Sequence, residues 1–334
     1  MDVEKAPSAG GARLFIGIDL GGTKIASALV DADMKTMGRV TVATRPEEGP
    51  DAVIGRMLGT VWELCEGHGC GVGDVGAIGI GCPGPLDQET GIVLDAPNLM
   101  WKNVSVAAPV AQATGLPVCV ENDANVAALA ENRMGAGRGA RHMMYVTVST
   151  GIGSGLILDG RLHVGAMGAA GELGHVTMLA DGPLCGCGNR GCLESLASGT
   201  AIAQRAREAA ARPAGAGILE AANGDIDAID SALVALAATG GDATAQAIMR
   251  AAFEYLGTAV ANVLNLLNLD MVVIGGGVAQ VGDVLFDTVK RMIELRAMAC
   301  MARDVRVVPA LLGADAGALG AACCAAERLT KYVP

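Results

Sequence analysis

The 334-residue chain reads as an α/β protein assembled from two related halves. Short apolar runs that stop at glycine-rich breaks alternate with stretches of helical spacing, the pattern of strands wrapped by helices. A unit of strand, glycine-rich turn, strand and terminal Asp occurs twice, at 19–31 and again at 149–159, which points to internal duplication. The length accommodates two domains and a large buried core.

Taken in order, a disordered lead of about a dozen residues precedes the apolar run 14–19, which enters a glycine pair as a buried strand. Strands are expected at 25–31 and 40–44, followed by a helix over 51–65 that opens on an acidic residue. The strand 75–81 ends in Gly81-Cys82-Pro83-Gly84-Pro85, a loop by its glycines and prolines. Another strand, 117–120, runs directly into Glu121-Asn122-Asp123 and an alanine-rich helix from Ala124 to about Met134. The second cycle opens with a strand at 143–149, a glycine-rich turn at 151–155 and a strand at 156–158. Helices dominate 199–269, of which 242–267 is long and apolar along one face. The run 271–274 is a buried strand delivering Gly275, Gly276 and Gly277, and a helix with an acidic cap closes the chain over 315–329.

The net charge of −11 argues against a nucleic-acid surface. The polar, acidic opening is not a secretory signal, and no window supplies about twenty apolar residues for a membrane span, so a soluble cytoplasmic protein is expected. Ten cysteines fit that compartment as free thiols, and seven of them read as small apolar residues.

The other three belong to a cluster. His175, Cys185, Cys187 and Cys192 lie within 18 residues on a glycine-rich stretch that offers the thiols no apolar burial, and they read as a structural zinc site of unusual spacing. Asp19-Leu20-Gly21-Gly22-Thr23-Lys24 sits between two strands, where glycine N–H groups, Thr23 and Lys24 suit a phosphate cradle, or else a plain hairpin with a solvated lysine. It is neither a Walker loop nor a dinucleotide fingerprint. Thr150, Gly151 and Gly153 in 149–155 offer the same chemistry again, and two cradles suggest a polyphosphate, with Gly275 to Gly277 admitting a nucleoside. Asp123, where a buried strand breaks into a helix, suits either a general base for phosphoryl transfer to a sugar or a helix cap. Asn98, Asn122, Glu172, His175 and Glu194 add the donors and acceptors that sugar hydroxyls require.

Together these segments resemble the ROK family of sugar kinases and repressors from Ile16 to Ala325. The first phosphate motif is Asp19 to Lys24, the second Ser149 to Gly155, the sugar motif Gly171-Glu172-Leu173-Gly174-His175, and the zinc signature Cys185 to Glu194. The resemblance implies an actin-like ATPase fold of ribonuclease-H type, as in hexokinase, with two domains closing on sugar and ATP across a cleft. It divides the chain into 13–123 with 315–330, and 124–314. By it, Asp123 is the base; Asn98, Asn122, Asp123, Glu172, His175 and Glu194 hold the sugar; Asp19 helps hold hydrated Mg2+; and Gly275, Gly276 and Gly277 face the nucleoside.

The implied activity is ATP-dependent phosphorylation of a hexose 6-hydroxyl, glucose first, with N-acetylglucosamine, N-acetylmannosamine, mannose, fructose or allose as alternatives. A sugar-responsive repressor is the competing class, disfavoured by the acidic charge and by the short segment before the first strand. The family's habit suggests a homodimer or homotetramer.

Overall fold

The computed structural model describes residues 14–332, so the N-terminal lead lies outside the described residues. The chain forms two compact units, one running to Ala130 and resuming at Ala314, the other spanning Glu131–Gly313.

In the first unit, β1 (Leu14–Leu20), β2 (Lys24–Val30) and β3 (Thr36–Ala43) form an antiparallel meander. α1 (Pro50–Gly67) follows, and β4 (Val75–Cys82) then pairs parallel to β1. The strands β5 (Leu86–Asp87), β6 (Ile92–Ala96) and β7 (Trp101–Ser105) make a small separate sheet. α2 (Ala107–Thr114) leads to β8 (Val118–Asn122), parallel to β4, and α3 (Asp123–Arg133) leaves from its end. The main sheet order is β3-β2-β1-β4-β8.

The second unit repeats this plan. β9 (Met143–Val148), β10 (Ile152–Leu158) and β11 (Arg161–His163) are an antiparallel meander. Seven helices are assigned beyond it: α4 (Leu193–Ala197), α5 (Gly199–Ala210), α6 (Ala216–Ala221), α7 (Ser231–Thr239), α8 (Ala243–Leu267), α9 (Asp283–Arg296) and α10 (Ala299–Ala302). β12 (Met271–Gly275) precedes α9 and pairs parallel to β9, and β13 (Arg306–Pro309) pairs parallel to β12, giving the order β11-β10-β9-β12-β13. Two sheets with the same sequence of three antiparallel strands and two parallel ones are the ribonuclease-H-type duplication the sequence implies. The chain ends with α11 (Ala316–Tyr332), which rejoins the first unit.

Burial explains the elements. β1 and β4 are central and almost wholly buried, as continuous apolar runs should be when both faces are covered. β3, an edge strand, alternates between half-buried and exposed positions. α1 turns Val53, Met57, Val61 and Leu64 inward. α8 buries Phe253, Leu256, Val260 and Leu264 in the core of the second unit, which accounts for its apolarity. Among the described residues no single helix is long and apolar enough to cross a membrane.

Three expectations shift. β3 starts at Thr36 and not at 40. The helix after β8 starts at Asp123. The glycine-rich segment 151–155 is mostly strand, with Gly153 opposite Thr147 and Gly155 opposite Tyr145. Its backbone is a packing surface: a Cβ on Gly174 would fall 2.2 Å from the Ile152 carbonyl, and one on Gly171 2.8 Å from that of Ser154. The true turn is 149–151. The strands β5 to β7 and β13 and the helices α2 and α9 add to the elements expected from sequence.

Candidate active site

The first unit's carboxylates gather at the carboxyl ends of β1, β4 and β8. Asp19 lies near the end of β1, in register with Ala26 of β2 and Gly81 of β4. α11 packs so tightly over it that a Cβ on Gly317 would sit 2.4 Å from the Asp19 Cγ. Burial pushes the Asp19 carboxyl up to about 6; the negative charge of Asp123 adds to that shift, and the Lys24 ammonium opposes it. The Cys82 thiol, fully buried at the end of β4, is pushed up first by burial and then by the charges of Asp123, Glu121 and Asp19. Asp19 and Asp123 are therefore electrostatic neighbours.

The cap of α3 is decided by local hydrogen bonds. Asn122 Oδ1 accepts the N–H groups of Ala124 at 2.9 Å and Asn125 at 3.3 Å, so Asn122 caps α3. Asp123 is exposed in the first helical turn, with Oδ1 also accepting the Ala124 N–H at 2.7 Å. A carboxylate in the first turn of a helix faces the positive end of the helix dipole.

Gly21 and Gly22 form the turn between β1 and β2, closed by the Gly21 N–H donating to the Lys24 carbonyl at 3.0 Å. The Thr44 hydroxyl donates to the Gly21 carbonyl at 2.7 Å. Thr23 and Lys24 are exposed. Gly22 lies against the turn bearing Asn98: a Cβ there would meet the Asn98 carbonyl at 2.8 Å. Asn98 itself is exposed.

In the second unit, the Glu194 carboxylate accepts the Ile152 N–H at 2.9 Å and lies where a Cβ on Gly151 would come within 2.4 Å of it. The turn is also tied to α5, because the Gly199 N–H donates to the Ser149 carbonyl at 2.7 Å and the Thr200 hydroxyl to the Thr150 carbonyl at 2.8 Å. A cavity of about 770 Å³ opens beside it, lined by Thr150, Thr200, Ser231, Leu236 and Gly277 among others. Its volume lies in the range of small-molecule sites. Of the three glycines after Ile274, Gly277 lines this cavity, Gly275 ends β12, and Gly276 turns the chain at φ +90° against the Val148 carbonyl. The α5 and α7 residues of the cavity carry no motif, which is why sequence reasoning passed over them.

His175, Cys185, Cys187 and Cys192 come together, their ligand atoms all within 4.8 Å of one another. The Cys187 and Cys192 sulfurs are 3.7 Å apart, as are the Cys185 sulfur and His175 Nδ1. A tetrahedron with metal–sulfur bonds of about 2.3 Å has edges of about 3.8 Å, so the donor set fits zinc. Gly188 and Gly191 adopt φ of +90° and +67°, the left-handed turns that bring Cys192 back toward Cys185. The other ring nitrogen of His175, Nε2, lies 3.9 Å from a Glu172 carboxylate oxygen. Glu194 follows Cys192 by two residues, in the first turn of α4.

Comparison with known proteins gives this arrangement its context. The chain is 38% identical over 316 residues to a glucokinase of Thermotoga maritima, covering 94% of this chain and 98% of that protein. Its fold is similar to that of a ROK family glucokinase from Streptomyces griseus, solved with glucose and AMPPNP, at a TM-score of 0.79 and 36% identity over 94% of this chain and 99% of the other. A ROK hexokinase from Thermus thermophilus superposes at a TM-score of 0.81 and 35% identity, covering 95% and 99% of the two chains. The model of the ROK family matches residues 15–328, and the chain belongs to that family.

Proposed function

We propose that this protein is an ATP-dependent glucokinase transferring the γ-phosphoryl group to the 6-hydroxyl of glucose. The observation that carries the reading is the exposed Asp123 carboxylate beside Asp19, with helix capping delegated to Asn122, in a chain similar along nearly its whole length to glucokinases. Asp123 accepts the proton of the attacking hydroxyl. Asn98, Asn122, Glu172, His175 and Glu194 hold the sugar hydroxyls. Asp19 holds hydrated Mg2+, which when bound neutralises charge on the phosphates. The turns with Gly21, Gly22, Thr23 and Lys24, and with Thr150 and Gly151, present donors to those phosphates. Gly153, on the strand leaving the second turn, backs it. The nucleoside occupies the cavity beside Gly277, with Gly275 and Gly276 shaping the chain that leads there.

Zinc held by His175, Cys185, Cys187 and Cys192 is structural. It fixes His175 through Nδ1, leaving Nε2 for the sugar side, and so anchors both ends of the wall that carries Glu172 and Glu194. We place the enzyme in the cytoplasm as a homodimer or homotetramer, to be measured by light scattering.

The test is ADP release with ATP across glucose, mannose, fructose, allose, N-acetylglucosamine and N-acetylmannosamine. Glucose is expected to give the highest kcat/KM. A higher value for another sugar reassigns the substrate, and no release with any sugar, together with specific DNA binding at physiological salt, replaces the enzyme by a repressor.

A further inference from the structure

Glu121 is an ionisable side chain, 1% exposed, that the chemistry above leaves unused. Its Oε1 accepts three donors: Gln88 Nε2 at 2.5 Å, Asn125 Nδ2 at 2.9 Å and the backbone N–H of Asn122 at 3.0 Å. Its Oε2 lies 3.3 Å from Arg328 Nη2 on α11. One carboxylate thus joins four pieces of the first unit: the turn between β5 and β6, the end of β8, the first turn of α3, and α11. These meet where the chain turns from Asn122 into Asp123.

A buried ion pair is a poor way to gain stability alone, because desolvation offsets the attraction and apolar replacements often serve as well. What the carboxylate supplies is direction. Holding the Asn122 N–H fixes the Glu121–Asn122 peptide plane, one residue before Asp123, and holding the Asn125 side chain fixes the helical turn on the other side of it. We infer that Glu121 is a positioning residue for Asp123, acting on turnover through the orientation of that carboxylate. The inference rests on the reading of Asp123 as the base.

The experiment is a double-mutant cycle on the full-length enzyme. Glu121→Gln keeps the volume but turns one acceptor into a donor facing Arg328. It should lower kcat about 30-fold, within the roughly 100-fold cost of an ångström-scale misplacement, while KM for glucose and ATP stays within about threefold. Asp123→Ala alone should lower kcat by roughly a thousandfold. In the Asp123→Ala background, Glu121→Gln should change the residual rate less than about twofold, because the side chain it positions is gone. An equal loss in both backgrounds, or an unchanged kcat in the single variant, overturns the positioning role and leaves Asp123 as base untouched. Near-normal turnover of Asp123→Ala overturns the base reading, and this inference with it. Should Glu121→Gln fail to fold, Gln88→Ala removes one donor from a half-buried position, and the same cycle should show a smaller kcat loss, about fivefold, that again vanishes without Asp123.

Discussion

Asp19 illustrates how a single carboxylate carries opposing demands. Burial against α11 disfavours its ionised form and lifts its carboxyl from the ordinary 3.8 to about 6. Because the folded value lies above the unfolded one, Asp19 favours the native state fully below about pH 4, and that contribution is lost as pH rises through about 6. Near neutrality the ionised side chain therefore costs stability, on the order of 2 kcal/mol for a shift of about two units after allowing for partial hydration. Asp19→Asn, neutral at every pH, should raise the unfolding temperature of the ligand-free protein by roughly 5 °C at pH 8 and by less at pH 5. Calorimetry at the two pH values checks this, and equal melting temperatures at pH 8 would show that other contacts offset the burial. At this scale the sequence was readable wherever residue type implied chemistry: Asp19, Asp123 and the three cysteines each stand in a pattern. It offered Asp123 as the cap of α3 where the hydrogen bonds give that role to Asn122, because both are good caps and only the bonds distinguish them. Glu121 was equally hidden, since its four partners are scattered from Gln88 to Arg328.

Among the elements, α11 meets the central strand β4 and the helix α3 through glycine. A Cβ on Gly79 of β4 would fall 1.8 Å from the Ala321 carbonyl, and one on Gly320 of α11 1.7 Å from that of Val126. No rotamer relieves a backbone clash, so the helix must withdraw from the sheet over Asp19. Gly79→Ala should cost more than about 3 kcal/mol of unfolding free energy, or abolish soluble expression. Gly55, exposed on α1 with nothing near its missing Cβ, is the control: Gly55→Ala should stabilise by about 0.5–1 kcal/mol. Urea titration of both variants measures the contrast, and a small loss at Gly79 would mean that α11 is freer than its packing indicates. The long apolar strands and the amphipathic α1 and α8 were legible because burial imposes a period on sequence. The strands β5 to β7, of two to five residues, are too short to show one. Segment 151–155 misleads for a different reason, since beyond Gly151 it is strand, and the loop that packs on its backbone does so through Gly171 and Gly174.

At the scale of the molecule, the duplicated strand order was visible in the repeated cycle because both halves mark the first hairpin with glycine and close it with Asp. What pattern alone does not supply is the reason the second unit carries its cysteine loop. Segment 175–192 contains little apolar side chain to bury: Leu179 and Leu184 are exposed, and Cys187 is exposed among glycines. Such a loop lacks an apolar core of its own, and in the proposed function the metal held by His175, Cys185, Cys187 and Cys192, whose ligand atoms lie within 4.8 Å of one another, is the cross-link that orders it. The link runs onward, because α4 starts directly after Cys192 and delivers Glu194 to the Ile152 N–H beside the second turn. Cys187→Ser is the informative variant, because an exposed thiol can be replaced without opening a cavity, so its effects report metal and not packing. Zinc content by elemental mass spectrometry should fall from stoichiometric to well below half. The KM for glucose should rise by about tenfold or more, the scale on which losing the support of a ligating side chain weakens a site, while the KM for ATP changes little. Chelation of the parent enzyme should reproduce the glucose effect, and zinc should restore it. Full glucose affinity in demonstrably metal-free protein would separate the loop from the sugar and leave the metal a purely local clip.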